Sequence, residues 1–304
     1  MKKGFKFGIE FECYIPQDYA NLIDQAMREF GCGVGSDGTL QGYEPPRFTS
    51  REYQSPPLAY NAMYRLIGRV CDLFNKYECH VNNKCGLHLH TSNIRFTSQK
   101  YLKRVIHAWV AIEDVLISTQ PPSRYNSNAY NRRLLRKYVY DSELQNLPRA
   151  KNLLLDKVRN TARSQNLNLT ALVEHKTLEN RLHAGTTNKD KMRAWLELNR
   201  KFYIYCLTEY KPEVVNQLFK TVISEDKIQQ VFNLLKVSDK TQKFYQTRIK
   251  KYLFDTLARE QESAYKTLEL MPAKDKALKR LDKLRSEYQT IERQFDSTSQ
   301  GLQY

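Results

Sequence analysis

Three short segments, far apart in the chain, carry ionisable or strongly polar residues at positions i and i+2: Glu10-Phe11-Glu12, His88-Leu89-His90 and Glu179-Asn180-Arg181. In an extended strand, residues two apart point to the same face. The residues between and beside them are mostly apolar: Phe7, Ile9 and Phe11, then Leu87 and Leu89, then Leu178 and Leu182. One sheet built from all three would bury its apolar face and gather carboxylates, imidazoles and a guanidinium on the other. Taken singly, each segment also fits a wetted strand or a simple ion pair. Independent wet strands have no reason to repeat the same phase three times.

The 304 residues suffice for one large domain or two modest ones, and the 41% apolar content is that of a folded chain. No run of about 18 apolar residues occurs, so no membrane span is expected. Glu10 and Glu12 interrupt any signal-peptide core behind the basic Met1-Lys2-Lys3. The six cysteines, Cys13, Cys32, Cys71, Cys79, Cys85 and Cys206, form no C-x-x-C pair. Free buried thiols in a reducing compartment are therefore expected, with the cytoplasm as the default location. The formal charge of +16 implies attraction to something anionic: nucleotide phosphates, an acidic substrate or nucleic acid. The lysines are spread over the C-terminal half without a compact block, as on a solvated surface.

Periodicity orders the elements. Alternation predicts a strand over 4–14, and helical spacing from Tyr19 to Phe30 ends at Gly31. A turn-rich stretch to Gly42 contains Ser36-Asp37-Gly38-Thr39. Glu52-Tyr53-Gln54-Ser55 reads as extended, and Pro56-Pro57 opens a helix to about Lys76. A strand over 85–92 and a helix over 98–118 follow, stopped by Pro121-Pro122. Residues 121–170 read as a loop with one or two short helices, leading to a strand over 173–184 and a helix over 189–210. The order indicates an α+β domain over residues 1–210 and a helical, charged region over 211–304. Near its end Leu281, Leu284, Tyr288, Ile291 and Phe295 fit a short coiled-coil seam, through which an oligomer could form, or a helix packed on its own domain.

The polar residues carry definite chemistry. Two carboxylates on one strand face repel and lose solvation unless cations compensate them, and hard divalent ions do so with oxygen ligands. An H-x-H pair can ligate a metal from one side, while Cys85 has no second cysteine at zinc-ligand spacing. In Glu179-Asn180-Arg181 the carboxylate suits a metal and the planar guanidinium suits phosphoryl oxygens. Pro121-Pro122-Ser123-Arg124 with Asn131-Arg132-Arg133 forms a second basic element. No phosphate-binding G-x-x-x-x-G-K-[ST] loop and no G-x-G-x-x-G occurs.

Six motifs in order resemble those of the amidoligase family, carboxylate–amine ligases with the glutamine synthetase fold. They are Phe7-Gly8-Ile9-Glu10-Phe11-Glu12, Asp37-Gly38-Thr39, Glu52-Tyr53-Gln54-Ser55-Pro56-Pro57-Leu58, Cys85-Gly86-Leu87-His88-Leu89-His90, Pro122-Ser123-Arg124 and Leu178-Glu179-Asn180-Arg181-Leu182-His183. They span about residues 5 to 200. The resemblance implies a curved antiparallel sheet of the glutamine synthetase catalytic-domain type, with helices on its convex face and ATP and divalent metals on its concave one. By carry-over, Glu10, Glu12, Glu52, His88 and Glu179 would ligate two or more Mg²⁺ or Mn²⁺ ions, with Glu44 an alternative to Glu52. Arg181 and Arg124 would face phosphates, and His90 would lie near the nucleotide or acyl phosphate; these three are the candidate catalytic and ATP-binding residues. Asn180 and Gln54 depart from the family pattern and are expected to turn away from the pocket. The last hundred residues have no counterpart in the resemblance.

The function this implies is an ATP-dependent ligase that activates a carboxylate as an acyl phosphate and joins it to an amine. Small-molecule or peptide carboxylates and amines would be its substrates. A metal-dependent kinase of the same fold is the alternative, as is a basic nucleic-acid-binding protein or nuclease acting through the positive surface.

Overall fold

In a computed structural model, residues 4–124, 133–134 and 163–252 are described. The chain divides into two compact units, Met1–Gln246 and Thr247–Tyr304. The seam expected at Leu281–Phe295 and most of the basic element at 125–132 lie outside the described residues.

The first unit is a mixed α/β structure around a six-stranded antiparallel sheet. Its strands are β1 (Lys6–Pro16), β2 (Gly33–Gly35), β3 (Phe48–Gln54), β4 (Gly86–Ser92), β5 (Leu167–Asn168) and β6 (Leu178–Ala184), in the order β2-β3-β1-β4-β6-β5. The three patterned segments thus become the three adjacent central strands. The register sets Glu12 opposite Glu52, Glu10 opposite His88, and His90 opposite Glu179. A bulge between the Leu87 and Leu89 pairings shifts β6 by one residue beside His88.

The other face of the same strands is the core. Phe7, Ile9, Phe11, Leu87, Leu89, Leu178 and Leu182 are all buried. Helices α1 (Ala20–Glu29) and α2 (Tyr60–Lys76) pack on β1, and Phe74 of α2 meets Phe11 edge-on at 6.2 Å. Helix α3 (Gln99–Ser118) joins this layer through Trp109, which sits 5.5 Å from Phe202. Each fully buried Phe or Leu contributes roughly 2–3 kcal/mol, so the period-two pattern fixes the register strongly.

The strand expected over 173–184 begins only at Leu178, and residues 173 and 174 instead end a short helix α4 (Ala171–Glu174). Asn168 causes the change: its Oδ1 accepts from Thr170 N at 3.0 Å and from Thr170 Oγ1 at 2.6 Å, turning the chain. Lys176, with φ of 59°, ends the turn before β6. Helix α5 (Lys189–Ile204) is continued by a wider helical turn to Glu209 and packs on α2. Helices α6 (Pro212–Lys220) and α7 (Glu225–Leu235) follow, with α6 packed on α3. Among the described residues, no helix is long and apolar enough to cross a membrane, and all six cysteines are buried free thiols.

Candidate active site

The face opposite the core collects polar residues from five of the six strands, all but β2. Glu10 and Glu12 come from β1, Glu52 and Gln54 from β3, His88 and His90 from β4, Glu179 and Arg181 from β6, and Asn168 from the edge strand β5. His88 stands at the centre. Its Nδ1 lies 3.0 Å from Glu10 Oε2 and 3.5 Å from Glu179 Oε1, and its Nε2 lies 3.4 Å from Glu12 Oε1. His90 Nε2 lies 3.3 Å from Glu10 Oε1 and 4.0 Å from Glu179 Oε1. The Arg181 guanidinium is paired with Glu179 Oε1.

Two adjoining cavities open on this cluster, of about 890 Å³ and about 330 Å³. Glu12, Asp37, His88 and Arg181 line both. Glu10, Glu52 and His90 line the larger one, and Arg124 the smaller. Arg124 is buried, and its Nη2 donates to the Cys85 carbonyl. Glu44 lines neither cavity: its carboxylate accepts from Gly42 N at 2.6 Å and Ser50 Oγ at 3.0 Å. The choice left open between Glu44 and Glu52 therefore favours Glu52, which faces Glu12 across the β1–β3 ladder.

The two departures from the family pattern behave differently. Asn180 does turn away, donating from Nδ2 to Asn199 Oδ1 of α5 at 2.7 Å beneath the sheet. Gln54 does not. It lines the larger cavity and donates to Glu52 Oε1 at 2.7 Å. The reason is parity: residue 54 shares its face with residue 52 and pairs across the ladder with Glu10.

Electrostatics divides the carboxylates. Burial pushes Glu10 up, but the His88 and His90 imidazoles outweigh it and hold the carboxyl well below the usual range. Burial also pushes Glu52 up. There the neighbouring Glu10, Glu12 and Asp37 add to the effect, against the hydrogen bond from Gln54. His88 would be lowered by burial alone, yet the carboxylates around it raise its pKa. The cluster is short of positive charge.

Its donor set fits a hard divalent ion. Ligand atoms of Glu10, His90 and Glu179 lie within 4.8 Å of one another, and His88 shares the same two carboxylates. Two buried nitrogens at the site, His90 Nε2 and Arg181 Nε, have no well-aligned hydrogen-bond partner. Such orphaned atoms are costly unless a ligand meets them. His90, expected beside the nucleotide, thus also stands where a metal ligand would.

Sequence patterning overlooked Gly86, Asn168 and Thr177. A Cβ at Gly86 would lie 2.6 Å from His88 Nε2 and 3.3 Å from Glu12 Oε2, so only glycine lets its N–H reach Glu12 Oε2. Asn168 donates to Glu179 Oε2, and Thr177 Oγ1 meets His90 Nδ1. A signal for Asn168 did exist: Asn166-Leu167-Asn168-Leu169 alternates as the central strands do.

A mixed α/β protein with an antiparallel sheet that concentrates acids, imidazoles and guanidinium groups in one cavity is built to handle anions and cations together. Residues 3–203 match the family described as "Putative amidoligase enzyme", more than half of the chain. The chain belongs to the amidoligase family. No curated protein sequence matches it. Among solved structures, a bifunctional glutathione synthetase from Pasteurella multocida is 10% identical, with a TM-score of 0.43, covering 86% of this chain and 49% of that one. The chain spans about half the length of that enzyme, and so distant a likeness carries no weight for fold or activity.

Proposed function

We propose that the protein is an ATP-dependent carboxylate–amine ligase working through an acyl phosphate, on a sheet of the glutamine synthetase catalytic-domain type. The observation that carries this reading is the convergence of Glu10, Glu12, Glu52, His88, His90 and Arg181 in one cavity, with the buried Glu179 paired to Arg181 and 3.5 Å from His88 behind them. In the reaction a carboxylate oxygen of the substrate attacks the γ-phosphorus of ATP. The bond from that phosphorus to the β–γ bridging oxygen breaks, and ADP leaves. The amine nitrogen then attacks the acyl carbon, phosphate departs and the nitrogen loses a proton.

The obstacle to the first step is charge, since a carboxylate must approach a polyanion. Mg²⁺ or Mn²⁺, held by Glu10, Glu12, Glu52, Glu179 and His88, would supply Lewis-acid neutralisation of the phosphates. Arg181 presents a guanidinium from the cavity wall, and its pairing with Glu179 fixes the direction in which it points. Arg124 contributes positive charge from the smaller cavity. His90 Nε2 faces the same space and can donate to a phosphoryl oxygen or ligate a second ion. Preorganised charge in a partly buried site is the largest common source of catalysis, with positioning second. The six free thiols are in keeping with a reducing compartment such as the cytoplasm.

The test is ADP release with Mg²⁺ or Mn²⁺ across pooled amino acids, polyamines and peptides, read by mass spectrometry for a condensation product. Glu10→Gln and Glu179→Gln should each abolish turnover while leaving the circular-dichroism spectrum unchanged. Turnover surviving both substitutions would remove the assignment. A phosphorylated acceptor accumulating without condensation would make the protein a kinase instead.

A further inference from the structure

The cluster's groups are bound on both sides, and the outer side has its own logic. Glu179 is 2% exposed and presents Oε1 inward, toward His88, His90 and Arg181. Its other oxygen, Oε2, accepts from Asn168 Nδ2 at 2.6 Å. Asn168 is 1% exposed and cannot turn over, because its Oδ1 is engaged by Thr170 N and Thr170 Oγ1. Its amide orientation is thereby fixed with the donor toward Glu179. The β5–β6 register, Asn168 opposite Glu179, delivers it there.

His90 is treated in the same way. Its Nδ1 lies 2.9 Å from Thr177 Oγ1, while its Nε2 faces Glu10 and Glu179 without an aligned partner. With Nδ1 held by the threonine, the ring is oriented with Nε2 directed into the cavity, and a cation bound there would leave the proton on Nδ1, donated to the hydroxyl. Groups that ligate metals characteristically have their remaining atom tied to such an outer partner.

We infer that Asn168 and Thr177 are positioning residues for a divalent cation: Asn168 commits Glu179 to binding through Oε1, and Thr177 commits His90 to binding through Nε2. The inference rests on the metal-binding part of the proposed function and adds the two residues, and the two ligand atoms, that make the site specific. Neither residue touches the cation. Each acts by removing the alternative orientations of a ligand.

The experiment measures Mn²⁺ binding to the full chain without nucleotide, by the electron paramagnetic resonance signal of free Mn²⁺. The variants are Asn168→Ala, Thr177→Val and Thr177→Ser. The expected result is 10- to 100-fold weaker binding for the alanine and valine variants, on the scale of outer-partner losses at other metal sites. The serine variant, which keeps the hydroxyl, should bind within about threefold of the parent by the same reasoning. Metal-free unfolding of Thr177→Val should stay close to the parent, which a merely structural role would not allow together with lost affinity. If Asn168→Ala fails to fold, the Val and Ser pair decides alone. Unchanged Mn²⁺ affinity in Thr177→Val overturns the inference while leaving the ligase reading intact. Parent protein that binds Mn²⁺ as described but forms no amide with ATP would defeat the ligase reading and leave the positioning roles standing.

Discussion

Glu52 and Glu10 should respond to neutralisation with opposite signs in metal-free protein, although both line the same cavity. Glu52 stands directly across the ladder from Glu12, and opposed Cβ atoms lie about 5 Å apart. Two like charges at that spacing repel by about 3 kcal/mol at an effective dielectric constant near 20. Glu52 is partly exposed, so solvent reduces the penalty to about 1 kcal/mol. Its raised pKa has the same origin in part, with burial the larger cause. Glu52→Gln should therefore raise the metal-free melting temperature by about 2–4 °C, on the scale for a domain of this size. Glu10 is the contrary case, stabilised by His88 at 3.0 Å and by the nearby His90. Glu10→Gln gives up a charge-assisted hydrogen bond and should lose about 1.5–3 kcal/mol. The assay is thermal unfolding with excess chelator, repeated with saturating Mn²⁺. In the parent, cation at 100 times its dissociation constant should add about 2.7 kcal/mol, roughly 5–11 °C. Each tenfold loss of affinity removes about 1.4 kcal/mol of that gain, so both variants should show a contracted increment. Opposite metal-free signs to those stated, or a full Mn²⁺ increment in both variants, would refute the charge argument.

Two further expectations concern regions away from the cluster. His107 is held between Tyr210 Oη at 2.6 Å and Asn216 Oδ1 at 3.1 Å, and burial lowers its pKa against the opposing effect of the hydrogen bond it donates to Asn216 Oδ1. Above its ordinary value of about 6.5 the imidazole is neutral in both folded and unfolded chains, so its effect on stability is constant. Below it the unfolded chain takes up the proton first, so stability should fall as pH drops from 6.5 toward the folded pKa. His107→Gln should flatten that part of a denaturation-versus-pH profile, and an unchanged slope would show that other groups dominate it. Asn199→Ala strands the buried Asn180 amide that it now accepts from, and should cost about 1–3 kcal/mol in urea titrations. Mn²⁺ affinity should stay within twofold of the parent, because Asn180 faces α5 rather than the cavity; a coupled loss of affinity would contradict that separation.

Much of the sheet and most of the cluster were legible because one rule, the period of two, governs both. Phe7, Ile9 and Phe11 told which face is buried, and the same alternation told where Glu10 and Glu12 must point. Gln54 was misjudged by setting parity aside for a family pattern: its own spacing from Glu52 already placed it in the cavity. The strand expected from residue 173 failed because the turn there depends on Asn168 capping Thr170, a local hydrogen bond that apolar periodicity does not register. The choice between Glu44 and Glu52 needed the ladder register, which a single strand's alternation does not contain. Thr177 was hidden for a further reason. It lies just before β6, and only the folded turn brings its hydroxyl to His90.

The shared rule also ties stability to chemistry more tightly than separate core and site residues would. Slipping β1 by one position against its neighbours would expose Phe7, Ile9 and Phe11 and bury Glu10 and Glu12, so the packing that fixes the core excludes the registers that would scatter the carboxylates. The repulsion among those carboxylates is then tolerated because it is set against burial of the whole opposite face. The bulge on β6 leaves this coupling intact. The same alternation on β6 puts Glu179 and Arg181 together on the cavity face, and the extra residue, between Asn180 and His183, changes only how His183 and Ala184 pair with Leu87 and Gly86.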